Sequence, residues 1–394
     1  MILANQELPL ILPKNGVRSL DWAFHTIWND ALLQFLAYYQ VAPMKPANRL
    51  NLRYALESQS FPPIQDGIID VHSHIHGERA ARIYAQAAQH YGIVRTYSMT
   101  SLSEIPAVQN ILGDSVRFIA IPNFSNNDRL QAFGPGFIRD LQAFKRAGTR
   151  IAKFWNAPRI YEVTSEPFAS SPLRLNSALR KEAMRAAADL GMMFMVHIGD
   201  PDTWFQTKYS DSTKYGTKCE QYETLEEVLD LFPNPWIAAH MGGYPEDLPF
   251  LSKLLSRHQN LYLDCSATKW IVRELSKHTP LELRDFFERW RGRVLFGSDI
   301  VTSEAHLSGE QSATEMESKA GSEHEAYDLY ASRYWALRTL LERSYEGESP
   351  IADPDLCLVD PNRNKLDAPT LRGAELPIES LLYLYNQAAS ALGL

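Results

Sequence analysis

The sequence predicts an α/β protein built as a closed, eight-stranded parallel barrel with helices packed around it. Three observations predict it: from Gly67 onward short apolar runs alternate with amphipathic stretches, eight such runs are present, and four of them lead directly into histidine or aspartate. A barrel of this kind, the TIM or (β/α)8 fold, gathers the residues at the C-terminal strand ends at one mouth. Residues 1 to 60 precede the first strand and read as an added helical segment; residues 61 to 394 hold the barrel and a C-terminal extension.

The expected strands are Gly67 to Val71, Ile93 to Met99, Val116 to Pro122, Arg150 to Trp155, Met192 to His197, Trp236 to His240, Asn260 to Asp264 and Arg293 to Gly297. Between them lie helical stretches with legible ends. Leu179, Ala183, Ala186, Ala187 and Leu190 repeat at helical spacing between a Ser177 cap and Gly191, while Gly136 to Ala147 and Leu225 to Phe232 stop before Gly148 and Pro233. Val17 to Tyr39 predicts the N-terminal helical layer. The end of the chain is helical in parts, interrupted by the polar stretch Glu346 to Asp367, and closes on an amphipathic run from Leu376.

Composition narrows the function. The chain has 394 residues, 45% hydrophobic and 22% charged, with a net charge of -8 that is spread along it. That distribution argues against nucleic acid or an anionic membrane as partner and favours a small-molecule ligand; a homodimer is compatible with it. Cys219, Cys265 and Cys357 are too far apart for a thiolate cluster and odd in number, which suits a reducing, cytoplasmic setting. The first residues lack the pattern of a signal peptide, and the apolar stretch from Ala31 to Ala42 is short and broken by Gln34 and Gln40.

The chemistry sits at the strand ends. In Ile68-Ile69-Asp70-Val71-His72-Ser73-His74, alternation puts His72 and His74 on one face, and neutral imidazoles on a rigid strand are good ligands for a divalent metal. The fifth apolar run ends at His197, the sixth at His240, and the eighth delivers Asp299, a carboxylate able to ligate metal and accept a proton. Setting aside His76 as a near neighbour of the pair, the remaining histidines, among them His258 and His306, read as packing or surface residues.

Those residues resemble the amidohydrolase superfamily, in the branch that holds lactonases, hydratases and the aminocarboxymuconate-semialdehyde and benzoate-type decarboxylases. The resemblance runs from about Gly67 to Asp299 on Ile69-Asp70-Val71-His72-Ser73-His74, Val196-His197, Ala239-His240-Met241-Gly242-Gly243 and Phe296-Gly297-Ser298-Asp299; Leu376-Pro377 through Asn386-Gln387-Ala388 looks like that branch's closing helix. It implies that His72, His74 and His197 ligate one divalent metal, Zn²⁺ with Mn²⁺ or Fe²⁺ as the other candidates. It implies further that Asp299 ligates the ion and handles a proton, and that His240 polarises or binds a substrate oxygen.

Lys153 admits three readings: a carboxylated bridge to a second metal as in two-metal relatives, a partner for an anionic substrate, or a lysine reaching solvent. Trp155, Arg159 and Trp204 on the following loops are the other expected substrate contacts, since aromatics beside cations suit an unsaturated or aromatic acid. The expected activity is hydrolysis of a small carboxylate-containing ester, lactone or amide through a metal-activated water. The alternatives are nonoxidative decarboxylation of an aromatic or unsaturated acid, and a barrel that binds a ligand without turnover.

Overall fold

A computed structural model describes residues 45–308 and 319–394. The barrel strands are β1 (Ile68–His74), β2 (Ile93–Ser98), β3 (Val116–Ala120), β4 (Ile151–Asn156), β5 (Met193–Ile198), β6 (Trp236–Ala238), β7 (Leu261–Asp264), β8 (Val294–Leu295) and β9 (Ile300–Val301). All pair in parallel in the order β8-β7-β6-β5-β4-β3-β2-β1-β9. β8 and β9 are the two halves of one broken eighth strand. The Val71 amide donates to Phe296 O at 2.9 Å and the Asp299 amide to His72 O at 2.8 Å, so the break itself closes the barrel against β1. The expected (β/α)8 architecture is therefore what the chain forms.

The helices outside are α1 (Glu78–His90), α2 (Ile105–Leu112), α3 (Pro135–Arg146), α4 (Ala178–Asp189), α5 (Lys218–Leu231), α6 (Leu248–Arg257), α7 (Thr268–Leu275), α8 (Pro280–Arg289) and α9 (Glu323–Glu342). Their starts follow local chemistry: Ser177 caps α4 by accepting from the Arg180 amide, and Thr217 with Glu220 forms a capping box on α5.

Packing separates two faces. Ile68, Ala152, Phe154, Phe194, Val196 and Leu263 point outward into the layer shared with the helices, while Ile69, Val71, Ile151, Met193, Met195 and Leu295 fill the barrel interior. Ala388, Ala389 and Leu394 from the closing helical run join that interior cluster. Strict alternation from Ile69 and Val71 would then send His72 and His74 outward. It does not, because the β1–β2 register slips between Asp70 and Ser73: Asp70 faces Thr96 but Ser73 faces Ser98. One extra residue in β1 makes a bulge that re-aims both histidines.

Two strand expectations are corrected. β6 stops at Ala238, because His240 and Met241 have left-handed φ values of 59° and 52°, and the eighth strand breaks after Leu295, with Asp299 at φ 57°. Such backbone is rare away from glycine and concentrates where function demands it.

The expected helix Val17 to Tyr39 lies outside the described residues. Residues 45–60 pack against α9, with Asn48 Nδ2 donating to Asp328 Oδ2 at 2.9 Å and Trp335 Nε1 donating to Glu57 at 3.2 Å. After α9 come a small antiparallel hairpin, β10 (Glu346–Glu348) and β11 (Thr370–Arg372), and the closing helical run from Ile378. Among the described residues no helix is long and apolar enough to cross a membrane.

Candidate metal centre

His72, His74 and Asp299 come together at the mouth: Asp299 Oδ1 lies 3.4 Å from His72 Nε2 and 3.2 Å from His74 Nε2. One potential ligand atom from each lies within 4.8 Å of the others, a separation a shared ion can bridge. Burial alone would raise the Asp299 carboxyl, but the His74 hydrogen bond and the His240, His72 and His74 imidazoles hold it far below the usual range. His74 is lowered by the same burial. A carboxylate kept ionised beside neutral imidazoles is the donor set a divalent cation requires.

Behind His72 stands Asp264, at the end of β7 and fully buried. Its Oδ2 lies 2.8 Å from His72 Nδ1, so a proton on Nδ1 is held there and the Nε2 lone pair is left facing Asp299. Desolvation opposes an ionised Asp264, yet the His72 and His240 imidazoles and the hydrogen bonds from His72 and Ser266 keep its carboxyl below the ordinary range. Asp264 Oδ1 also takes the His240 amide at 2.9 Å and the Ser266 hydroxyl.

That last bond fixes His240. The single Ser266 proton goes to Asp264, so His240 Nδ1, 2.7 Å from Ser266 Oγ, must be the donor and Nε2 is its free nitrogen. Burial and the neighbouring His197 hold His240 well below its ordinary value, hence neutral. His72, His240 and Asp264 also lie close enough to resemble a ligand set. Their facing atoms are already spent on one another and on Ser266, which makes this trio the support and not the cradle.

The other expected residues divide. His197 lies outside the close His72–His74–Asp299 group: its Nε2 is 3.0 Å from Asp200 Oδ1 and its ring centroid is 4.6 Å from that of His240. Lys153 does not reach solvent. It is 3% exposed on the interior face of β4, its Nζ has no hydrogen-bond partner among the described residues, and burial lowers it to about 8. Arg159 and Trp204 line a cavity of about 450 Å³ together with Asp299. Trp155 is not in that lining; its ring packs 6.0 Å from Phe124 and 6.4 Å from Phe133.

Other residues of the site are not among those expected from the sequence. Trp270 on α7 lines the cavity, with its ring 5.6 Å from His240 and 4.7 Å from Trp204. His306, expected as a packing residue, is buried in the same wall, its Nδ1 2.9 Å from Tyr330 OH. Asp264 was open to the strand-end test that found His197, since it closes the run Leu261-Tyr262-Leu263.

A family model described as Amidohydrolase matches residues 69–327. No curated protein matches the chain. Among solved structures it is similar to a probable 2-pyrone-4,6-dicarboxylic acid hydrolase from Acinetobacter baumannii with citric acid bound, at 12% identity and a TM-score of 0.42, over 83% of this chain and 100% of that one. A 2,6-dihydroxybenzoate decarboxylase from Rhizobium is similar at 12% identity and a TM-score of 0.36, over 69% and 99%. A 5-carboxyvanillate decarboxylase from Novosphingobium aromaticivorans, complexed with manganese, is similar at 11% identity and a TM-score of 0.35, over 63% and 72%.

Proposed function

The chain belongs to the amidohydrolase family, and we propose that it is a metal-dependent hydrolase acting on an ester, lactone or amide of a small carboxylate-bearing molecule. The observation that carries the reading is the meeting of His72 Nε2, His74 Nε2 and Asp299 Oδ1, with Asp264 fixing the His72 ring from behind. These three would hold the ion, with His197 as the next nitrogen donor. A divalent ion of the Zn²⁺, Mn²⁺ or Fe²⁺ kind supplies Lewis acidity there, polarising a substrate oxygen and making water more acidic.

The chain's own groups do the rest. Asp299 takes the proton that the attacking water gives up and returns it to the leaving group. His240, neutral and with Nδ1–H committed to Ser266, offers Nε2 to a substrate hydroxyl or a proton. Trp204 and Trp270 wall the cavity and keep water from its apolar side. Lys153, inside the barrel and within electrostatic reach of Asp264 and Asp299, adds positive potential that favours an anionic substrate.

The test is metal analysis of the purified protein followed by assays on a lactone, ester and amide panel, with carbon dioxide release from aromatic acids measured in parallel. One bound ion, chelator-sensitive hydrolysis, and loss of activity in Asp299→Asn are expected. Carbon dioxide release without hydrolysis would replace the reaction by decarboxylation; a metal-free protein indifferent to chelator would leave a binding barrel.

A further inference from the structure

The cavity beside Asp299 is lined by five basic residues, Arg159, Lys208, Lys269, Lys319 and Arg333, against two acidic ones, Asp299 and Asp355. Part of that excess is already spoken for. Lys208 Nζ lies 3.1 Å from Asp355 and Lys269 Nζ 3.8 Å from Asp353. Arg333 differs. It comes from α9, beyond the barrel, and its Nη1 donates to Leu329 O at 2.9 Å and Ser332 Oγ at 2.8 Å. Nε and Nη2 make no hydrogen bond to the described residues, and no described carboxylate pairs with the guanidinium.

Arg333 is half-buried, and Asp299 attracts it without pairing with it; a partly desolvated guanidinium with no carboxylate paired to it favours a ligand that brings one. Its Nε and Nη2 form the edge that a carboxylate meets with two parallel bonds, a geometry lysine does not offer. The cavity volume, about 450 Å³, suits a small molecule. Trp270 and Trp204 add flat apolar surface to the same wall.

We propose that Arg333 anchors a second anionic group of the substrate, which is therefore a flat dianion: one oxygen group at the His72–His74–Asp299 end and a carboxylate on Arg333. The inference deepens the hydrolase reading and rests on it for the location of the reacting end. Arg333 is the specificity residue, since it recognises a group that does not react.

Calorimetric titration with benzene-1,3-dicarboxylate and with benzoate tests it, on the metal-bearing protein and on Arg333→Gln and Arg333→Lys. The wild type is expected to bind the dicarboxylate about tenfold more tightly than benzoate. Arg333→Gln should erase that preference while leaving metal content unchanged, and Arg333→Lys should keep part of it. Equal affinities in the wild type, a comparison that needs no variant to fold, would overturn the proposal; so would a preference that survives in Arg333→Gln. Metal content separates the two readings. Protein without metal that still shows the Arg333-dependent preference removes the hydrolase reading alone, and metal-replete protein without the preference removes this one alone.

Discussion

Ser298 donates twice to Asp70, through its amide at 3.0 Å and its hydroxyl at 2.6 Å. The same buried carboxylate accepts the His72 amide at 3.0 Å and the Tyr334 hydroxyl at 2.8 Å. One side chain thus ties the bulge of β1, the break ahead of Asp299 and helix α9 to a single point. Asp70→Ala strands four buried donors and is expected to cost about 3–5 kcal/mol of stability. Denaturant unfolding checks it, and a loss under about 1 kcal/mol would show that the break holds without its anchor.

Asp264→Asn keeps an acceptor near His72 but removes the charge that fixes its ring. Metal affinity is expected to fall about 10- to 100-fold with the fold retained. Competition against a chelator of known strength, alongside far-ultraviolet circular dichroism, measures both; unchanged affinity would mean that Asp264 serves only His240 and Ser266.

Gly243 follows the left-handed turn at His240 with φ 72°, and a Cβ there would sit 2.1 Å from Ile198 O, at the end of β5. Gly243→Ala is expected to destabilise by about 3 kcal/mol or more, combining backbone strain with a clash that backbone atoms cannot relieve. Gly92 is the control. Its φ is 74° with open space around, so Gly92→Ala carries only the conformational cost, about 1–2 kcal/mol. Equal losses in both variants would show that β5 yields to the added methyl.

Acid should weaken the segment after α9. Burial favours a protonated Asp355, but Lys269, Lys208 and Arg273 outweigh it and depress its carboxyl. A carboxyl depressed by folding stabilises the protein above its unfolded value, near 4, and that contribution is lost as pH falls through the lower folded value. Asp355→Asn should therefore lower the Tm at pH 7 by about 2–4 °C and lose less on further acidification than the wild type. Parallel Tm curves for both proteins from pH 7 to about pH 3 would refute the assignment.

Much of the barrel was legible because parallel strands buried on both faces are continuous apolar runs, as in Met193-Phe194-Met195-Val196. The nearness of His72, His74 and Asp299 followed from the same logic, since a strand end points at the mouth. The bulge that turns His72 inward was not legible: it depends on the β2 register, and Val71 and His72 bear no local sign of it. Nor was the left-handed turn, which takes His240 out of the strand that its apolar neighbours predict. Trp155 shows the limit of the strand-end rule, which identifies the mouth but cannot distinguish the cavity from the aromatic wall made with Phe124 and Phe133. Arg333 lies on a helix whose partner in space is set only once the barrel has closed.

The groups that would perform bond breaking, His72, His74, His240 and Asp299, stand on barrel strand ends and the turns next to them, whereas Arg333, Tyr330 and Asp355 reach the cavity beside Asp299 from the tail beyond it. The proposed reacting groups and the proposed anchor Arg333 thus stand in different stretches of chain. Changes at Arg333 that spare Tyr334 would retune which molecule is admitted while leaving the Asp70 anchor of the strand ends in place.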